Sequence, residues 1–171
     1  RRTATVLSVE HTHLFCIRRD AMVTKRDDKS DRLSSFKGAP HEALVNVLRP
    51  PADARTTDDF EVVLHHCSWQ PFFSVLEPGL SEVACRHIKL LEVPTAQCVV
   101  LQGDLADCYF IVYCGQAEVY VTKDEQGLNR WKGLNLWTAA DDTGPVAIPV
   151  HQAGDKVFML EEGMAFGESG L

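Results

Sequence analysis

The residues with the clearest chemical potential close the chain: Phe166-Gly167-Glu168-Ser169-Gly170-Leu171. Two glycines around one carboxylate make a tight corner, and without Cβ atoms the backbone N–H groups can come close to an anion. Leu171 is expected to begin a helix, whose first N–H groups lack partners and favour negative charge. Glu168 inside this corner does not suit the anion itself, but its oxygens can accept from a neighbouring pair of hydroxyls, such as those of a ribose. The other chemistry-bearing residues point elsewhere. His11 and His13 stand two apart on one face of an extended strand, too few donors for a metal and expected as exposed turn histidines. His65-His66-Cys67 occupy consecutive helical positions about 100° apart, so the three cannot converge on one ion. No Ser/His/Asp series, metal-ligand spacing or phosphate loop is present, and no catalytic activity is expected.

Upstream lies Val99-Val-Leu-Gln-Gly-Asp-Leu-Ala-Asp-Cys-Tyr-Phe-Ile-Val-Tyr-Cys-Gly-Gln-Ala-Glu-Val-Tyr-Val121. This run, followed by the Phe166-Gly167-Glu168 corner, resembles the cyclic nucleotide-binding domain family. The shared order is strand, Gln-Gly-Asp turn, strand, glycine turn, strand, and then a phosphate-binding cassette opening Phe-Gly-Glu. The resemblance covers roughly residues 58–171, with one long interruption. The opening Arg1-Arg2-Thr3-Ala4-Thr5-Val6 is similar to the far end of such a cassette: an arginine, two small residues, then strands. The chain thus reads as spanning parts of two tandem domains, as in the regulatory regions of cyclic nucleotide-dependent kinases. The other reading is one domain whose halves are permuted.

Three segments follow: residues 1–20 as the closing strands of a first domain, 21–55 as a helical, charged linker, and 56–171 as the helices and β-roll of a second. That linker is longer than in kinase regulatory subunits. The fold class implied is mainly β with flanking α, a jelly-roll-like β-roll preceded by short helices. The resemblance also implies the ligand, cAMP or cGMP, and its contacts. Glu168 would take the ribose 2′-hydroxyl. The backbone around Phe166, Gly167, Ser169, Gly170 and Leu171 would line the sugar and phosphate, and Arg2 would pair with the cyclic phosphate through its planar fork. Thr3 stands where a hydroxyl in cGMP-responsive kinases meets the guanine amino group, which tilts the first site toward cGMP. With each cassette incomplete, the chain should bind poorly unless its head and tail come together.

The elements that must position these residues are legible in the patterning. Residues 3–9 are β-rich, and a second short strand follows through Leu14 and Cys16 after a turn near Glu10-His11. Residues 21–32 carry dense charge of mixed sign, as a solvated helix or linker does. Ala43, Leu44, Val47 and Leu48 fall at helical spacing, and Arg49-Pro50-Pro51 must end that helix. Thr56 or Thr57 is placed to cap the next helix, with Asp58 and Asp59 in its first turn and Phe60, Val63 and Leu64 on its apolar face. Phe72 and Phe73 read as core, and Leu80, Val83, Ala84, His87 and Ile88 share another helical face. Strands are expected at 91–93, 98–101, 108–113 and 117–121, with turns at Pro94-Thr95, Gln102-Gly103-Asp104 and Gly115-Gln116. Residues 123–155 replace what is usually a short hairpin, and Trp131 and Trp137 within them are expected to pack on the roll. Asp141-Asp142 reads as an exposed acidic pair.

Composition sets the outer bounds. The 171 residues suit one domain or one and a half. A net charge of -7 speaks against a general nucleic-acid binder, which presents a basic face. No apolar run approaches the ~18 residues of a membrane span. The six cysteines form no C-x-x-C pair and are expected as reduced core thiols of a cytoplasmic protein. The expected partners are a cyclic nucleotide and an effector domain or partner protein, with no cofactor and no metal. A β-roll that no longer binds nucleotide and serves as a protein-interaction module is the alternative.

Overall fold

The computed structural model describes residues 1–20, 41–124 and 146–167. These fall into two compact units: Arg1–Phe15 joined with the residues from Leu91 onward, and those within Cys16–Leu90. Grouping by contact therefore differs from the expected succession of residues 1–20, 21–55 and 56–171. The opening strand is built into the same unit as the strands expected to belong to a later domain.

That unit contains a five-stranded antiparallel sheet. Its members are β1 (Thr5–Ser8), β4 (Gln97–Val100), β6 (Ala117–Val121), β7 (Val146–Ala147) and β8 (Asp155–Leu160), in the order β7-β4-β1-β6-β8. β1 is the central strand. It aligns Val6 with Val100 on one side and Val6 with Val119 on the other. A central strand buried on both faces has no room for an unpaired polar atom, and β1 is buried throughout. Its two hydroxyl residues meet this demand. Thr5 Oγ1 accepts from the Gln102 N–H at 3.1 Å, and Ser8 Oγ donates to the Pro94 carbonyl at 2.5 Å. Beneath the sheet, Leu7, Cys98, Leu101, Tyr120, Ile148 and Ala153 form a core cluster. The long interruption returns to the sheet as β7, pairing Ala147 with Gln97, and then makes the short helix α5 (Val150–Ala153). Trp131, Trp137, Asp141 and Asp142 lie outside the described residues, as does the charged segment 21–32.

A second sheet has the order β3-β2-β5-β9, from β2 (Thr12–Arg18), β3 (Lys89–Val93), β5 (Cys108–Cys114) and β9 (Ala165–Phe166). β5 is the continuous apolar strand its sequence suggests, buried from Cys108 to Val112.

The helical unit carries α1 (His41–Leu48), a single 3-10 turn (Ala52–Ala54), α2 (Thr57–Ser68), α3 (Pro71–Ser74) and α4 (Pro78–His87). Thr56 caps α2 as the sequence suggests, and reciprocally: its hydroxyl oxygen accepts from the Asp59 N–H, while Asp59 accepts from the Thr56 N–H at 2.9 Å. Pro71 and Pro78 each open a helix, where the missing N–H costs nothing. Helix α2 packs against α1, α3 and α4. Leu44, Leu48, Val63, Cys67, Phe73, Ala84 and Cys85 are buried. The apolar run at 71–76 is thus partly a one-turn helix that turns Phe73 inward and leaves Phe72 half-buried. The chain is mixed, two antiparallel sheets with several short helices, and among the described residues no helix is long and apolar enough to cross a membrane.

Candidate ligand-binding site

Arg2 is the organising side chain. Its backbone N–H donates to the Asp104 carbonyl at 2.8 Å, and its own carbonyl accepts from the Gly103 N–H at 2.8 Å. The Gln102-Gly103-Asp104 turn thus grips Arg2 by both sides of its main chain. The side chain is buried to 4 % exposure, which is rare for a guanidinium without fixed partners. Nη1 donates to the Gly167 carbonyl at 3.2 Å, Nη2 lies 3.7 Å from Asp107 Oδ1, and the guanidinium carbon sits 5.3 Å from the centre of the Phe110 ring. Phe110 in turn aligns with Phe166 in the β5–β9 ladder, and the two rings stack at 5.1 Å with 16° between their planes. Arginine, Phe110 and Phe166 therefore form one layered assembly, closed by the carbonyl of Gly167.

A cavity of about 260 Å³ opens beside this assembly. Arg2, Thr3, Ala4, Ala165, Phe166 and Gly167 form its rim, and Val6, Val100 and Val119 from three adjacent strands form its floor. Four of the residues singled out in the sequence, Arg2, Thr3, Phe166 and Gly167, are thus brought to one place although 165 positions separate Arg2 from Gly167. Glu168, Ser169, Gly170 and Leu171 lie outside the described residues. A fixed cation at the rim of an apolar floor suits a small anion that also carries a flat or apolar part. The volume is just below the ~300–1,000 Å³ common for small-molecule sites.

A larger cavity of about 540 Å³ lies in the helical unit, lined among others by Pro51, Arg55, Phe60, Cys85, Arg86 and Lys89. It contains none of the sequence-selected residues. Its cations are occupied or enclosed: Arg86 pairs with Glu82 at 2.8 Å and lies over the Phe60 ring at 4.3 Å. Arg55 Nη2 reaches the Leu48 and Pro50 carbonyls at 3.4 Å, while its Nε and Nη1 are buried. Burial pushes the Arg55 guanidinium down from its ordinary value. Size and the exposed Arg86 favour this cavity, whereas the smaller one is distinguished by gathering Arg2, Thr3, Phe166 and Gly167 around one fixed guanidinium. In the same helical unit, Cys67 is pushed well up by burial and then by its neighbour Cys85, which lines the larger cavity. Six free thiols, five of them buried, fit a core role.

On the opposite face of β6 from Val119, a polar relay was not evident from sequence. The Tyr120 phenol donates to Glu118, and Lys156 Nζ on the neighbouring strand donates to the same carboxylate at 2.5 Å. Lys156 first, and then Tyr120, hold Glu118 below the usual carboxylate range. Burial, then Glu118, pushes Tyr120 up to about 12. A depressed carboxylate contributes stability that is present above its unfolded value, about 4.3, and is lost as pH falls through the lower folded value. The raised phenol contributes below its unfolded value of about 10, and that contribution is lost as pH rises to about 12. Glu118→Gln is expected to flatten the acid limb of the stability profile and cost about 1 kcal/mol or less at neutral pH, since Lys156 is half exposed. Tyr120→Phe is expected to flatten the alkaline limb. Urea denaturation across about pH 2 to 12 reads both, and an unchanged acid limb in Glu118→Gln would remove the relay from the account.

No protein-family model, curated protein or solved structure matches the chain.

Proposed function

We propose that this chain is a cyclic nucleotide-sensing regulatory module of the jelly-roll-like β-roll kind. The observation that carries the reading is the meeting of Arg2 with Phe166 and Gly167 around one cavity. The cyclic phosphate pairs with the Arg2 fork and with backbone N–H groups of the corner, Glu168 takes the ribose hydroxyl, and Thr3 faces the base. The apolar floor of Val6, Val100 and Val119 excludes water and strengthens the ion pair. Binding then favours one arrangement of the corner over others, and an attached effector or partner reads that shift, limited by the ligand's differential affinity for the two states. The setting proposed is cytoplasmic, with no catalytic step and no cofactor.

The test is a calorimetric titration of cAMP and of cGMP against the chain. Saturable binding of one ligand per chain at micromolar concentration is expected, abolished by the double variant Arg2→Ala, Glu168→Ala. A preference for cGMP that Thr3→Ala reverses would fix the ligand. Absence of heat up to millimolar concentrations of either nucleotide would sink the sensor reading. It would then favour the second reading, an interaction module, which draws on the exposed apolar side chains of Val157 and Phe158 on the edge strand β8.

A further inference from the structure

The turn that leads into β2 carries His11, β2 itself carries His13, and the neighbouring strand β3 carries Glu92. The two histidines are separated by one residue on extended backbone, so their side chains emerge on the same face. Between them Thr12 points the other way and is buried. Its hydroxyl donates to the Gln116 carbonyl at 3.0 Å or the Glu10 carbonyl at 2.9 Å, which fixes the backbone that presents both imidazoles. On β3, Leu91 and Val93 are buried and Glu92 is exposed between them, on the alternate face. The result is a convergence: one ligand atom from each of His11, His13 and Glu92 lies within 4.8 Å of the other two. Among the described residues this is the one group of three such side chains. The imidazole rings meet edge to face with centres 5.1 Å apart.

Two imidazole nitrogens and one carboxylate oxygen form a donor set suited to zinc rather than to calcium or magnesium, which take oxygens alone. Zinc bonds of about 2.0–2.2 Å place tetrahedral ligand atoms about 3.4 Å apart, so the three side chains need to close by up to about 1.4 Å. Rotation about side-chain bonds supplies that movement, since His11 and Glu92 are exposed and His13 half-buried. We propose that His11, His13 and Glu92 form a Zn²⁺ site on the β2–β3 face, with the fourth position open to water. The ion fastens the turn entering β2 to strand β3 and raises stability by mass action. This site is remote in sequence from the Phe166-Gly167 corner, and the inference does not depend on nucleotide binding.

The test uses the full chain freed of metal by chelator and dialysis. Co²⁺, a spectroscopic stand-in for zinc, is expected to bind one equivalent and give the visible bands of a tetrahedral ion without thiolate charge transfer. Zn²⁺ is expected to displace it. His11→Ala, His13→Ala and the isosteric Glu92→Gln should each weaken binding at least about 10-fold, whereas His65→Ala, off the site, should not change it. Zn²⁺ should also raise the thermal midpoint of the parent chain and leave that of the triple variant unmoved. Far-ultraviolet circular dichroism checks that each variant is folded, and Glu92→Gln, at an exposed position, keeps the test open if a histidine variant is not. Thiolate charge transfer, an unchanged titration in Glu92→Gln, or no saturable binding below about 1 mM would each overturn the site.

Discussion

Arg2→Ala is expected to weaken the proposed cyclic nucleotide binding at least about 30-fold while leaving the chain folded. The guanidinium is nearly enclosed, so its charge is screened little by water, and truncating one partner of such a buried ionic hydrogen bond costs about 2–5 kcal/mol. The losses to the fold include the bond to the Gly167 carbonyl, the ion pair with the half-exposed Asp107 and the contact with the Phe110 face, together about 1–3 kcal/mol. Arg2→Lys is the sharper probe. Lysine keeps the charge but cannot offer two parallel donors, so an affinity between parent and Arg2→Ala is expected. Calorimetry gives the affinities and a thermal melt the stability. Equal affinity in parent and Arg2→Ala would remove the arginine from the site, whatever the cavity binds.

Gly167→Ala should be the most damaging single-atom change near the site. Gly167 has φ +96°, which L side chains rarely adopt. A Cβ there would also run into the Arg2 guanidinium and stand 2.9 Å from the Cys108 carbonyl. The arginine can swing away, but the Cys108 carbonyl belongs to β5 and cannot move without loosening the β5–β9 pairing. Backbone strain and collision together are expected to cost about 2–4 kcal/mol, a drop in the thermal midpoint of roughly 5–15 °C, and to displace Arg2 from the cavity rim. Gly103→Ala separates the two causes. Its φ is +92°, yet a Cβ there meets nothing within 4 Å, so strain of about 1 kcal/mol is all it should show. Equal losses in the two variants would mean that the collision plays no part.

Much of the local structure was readable because it is decided locally. Proline at 50 and 51 must end α1, a threonine at 56 or 57 before Asp58 and Asp59 must start α2, with the structure selecting Thr56, and period-two runs bounded by glycine turns must be strands. Those outcomes depend on interactions within a few residues, which a linear reading sees directly. The one-turn helix α3 was not read as such, because Pro71 at its start and the apolar pair after it are equally compatible with a buried loop. The candidate site was half legible. Arg2, Thr3, Phe166 and Gly167 stood out by type and context, while the Val6-Val100-Val119 floor did not, since valines in strands carry no label saying which cavity they face.

By itself, then, the sequence determined most of the elements and their ends, the turn glycines and the two separate stretches, around Arg2-Thr3 and Phe166-Gly167, that make up the candidate site. Only the tertiary structure decided that those stretches meet. A strand's backbone ladder accepts any extended neighbour, so nothing in residues 5–8 specifies whether they pair within one segment or across the whole chain. Burial made the choice: β1 fits between β4 and β6 because both of its faces are covered there and its two hydroxyls find partners at Gln102 and Pro94. The same kind of long-range pairing set Glu92 beside His11 and His13, turning two donors into three. Proximity across such distances is a property of the packed core, and no pattern along the chain carries it.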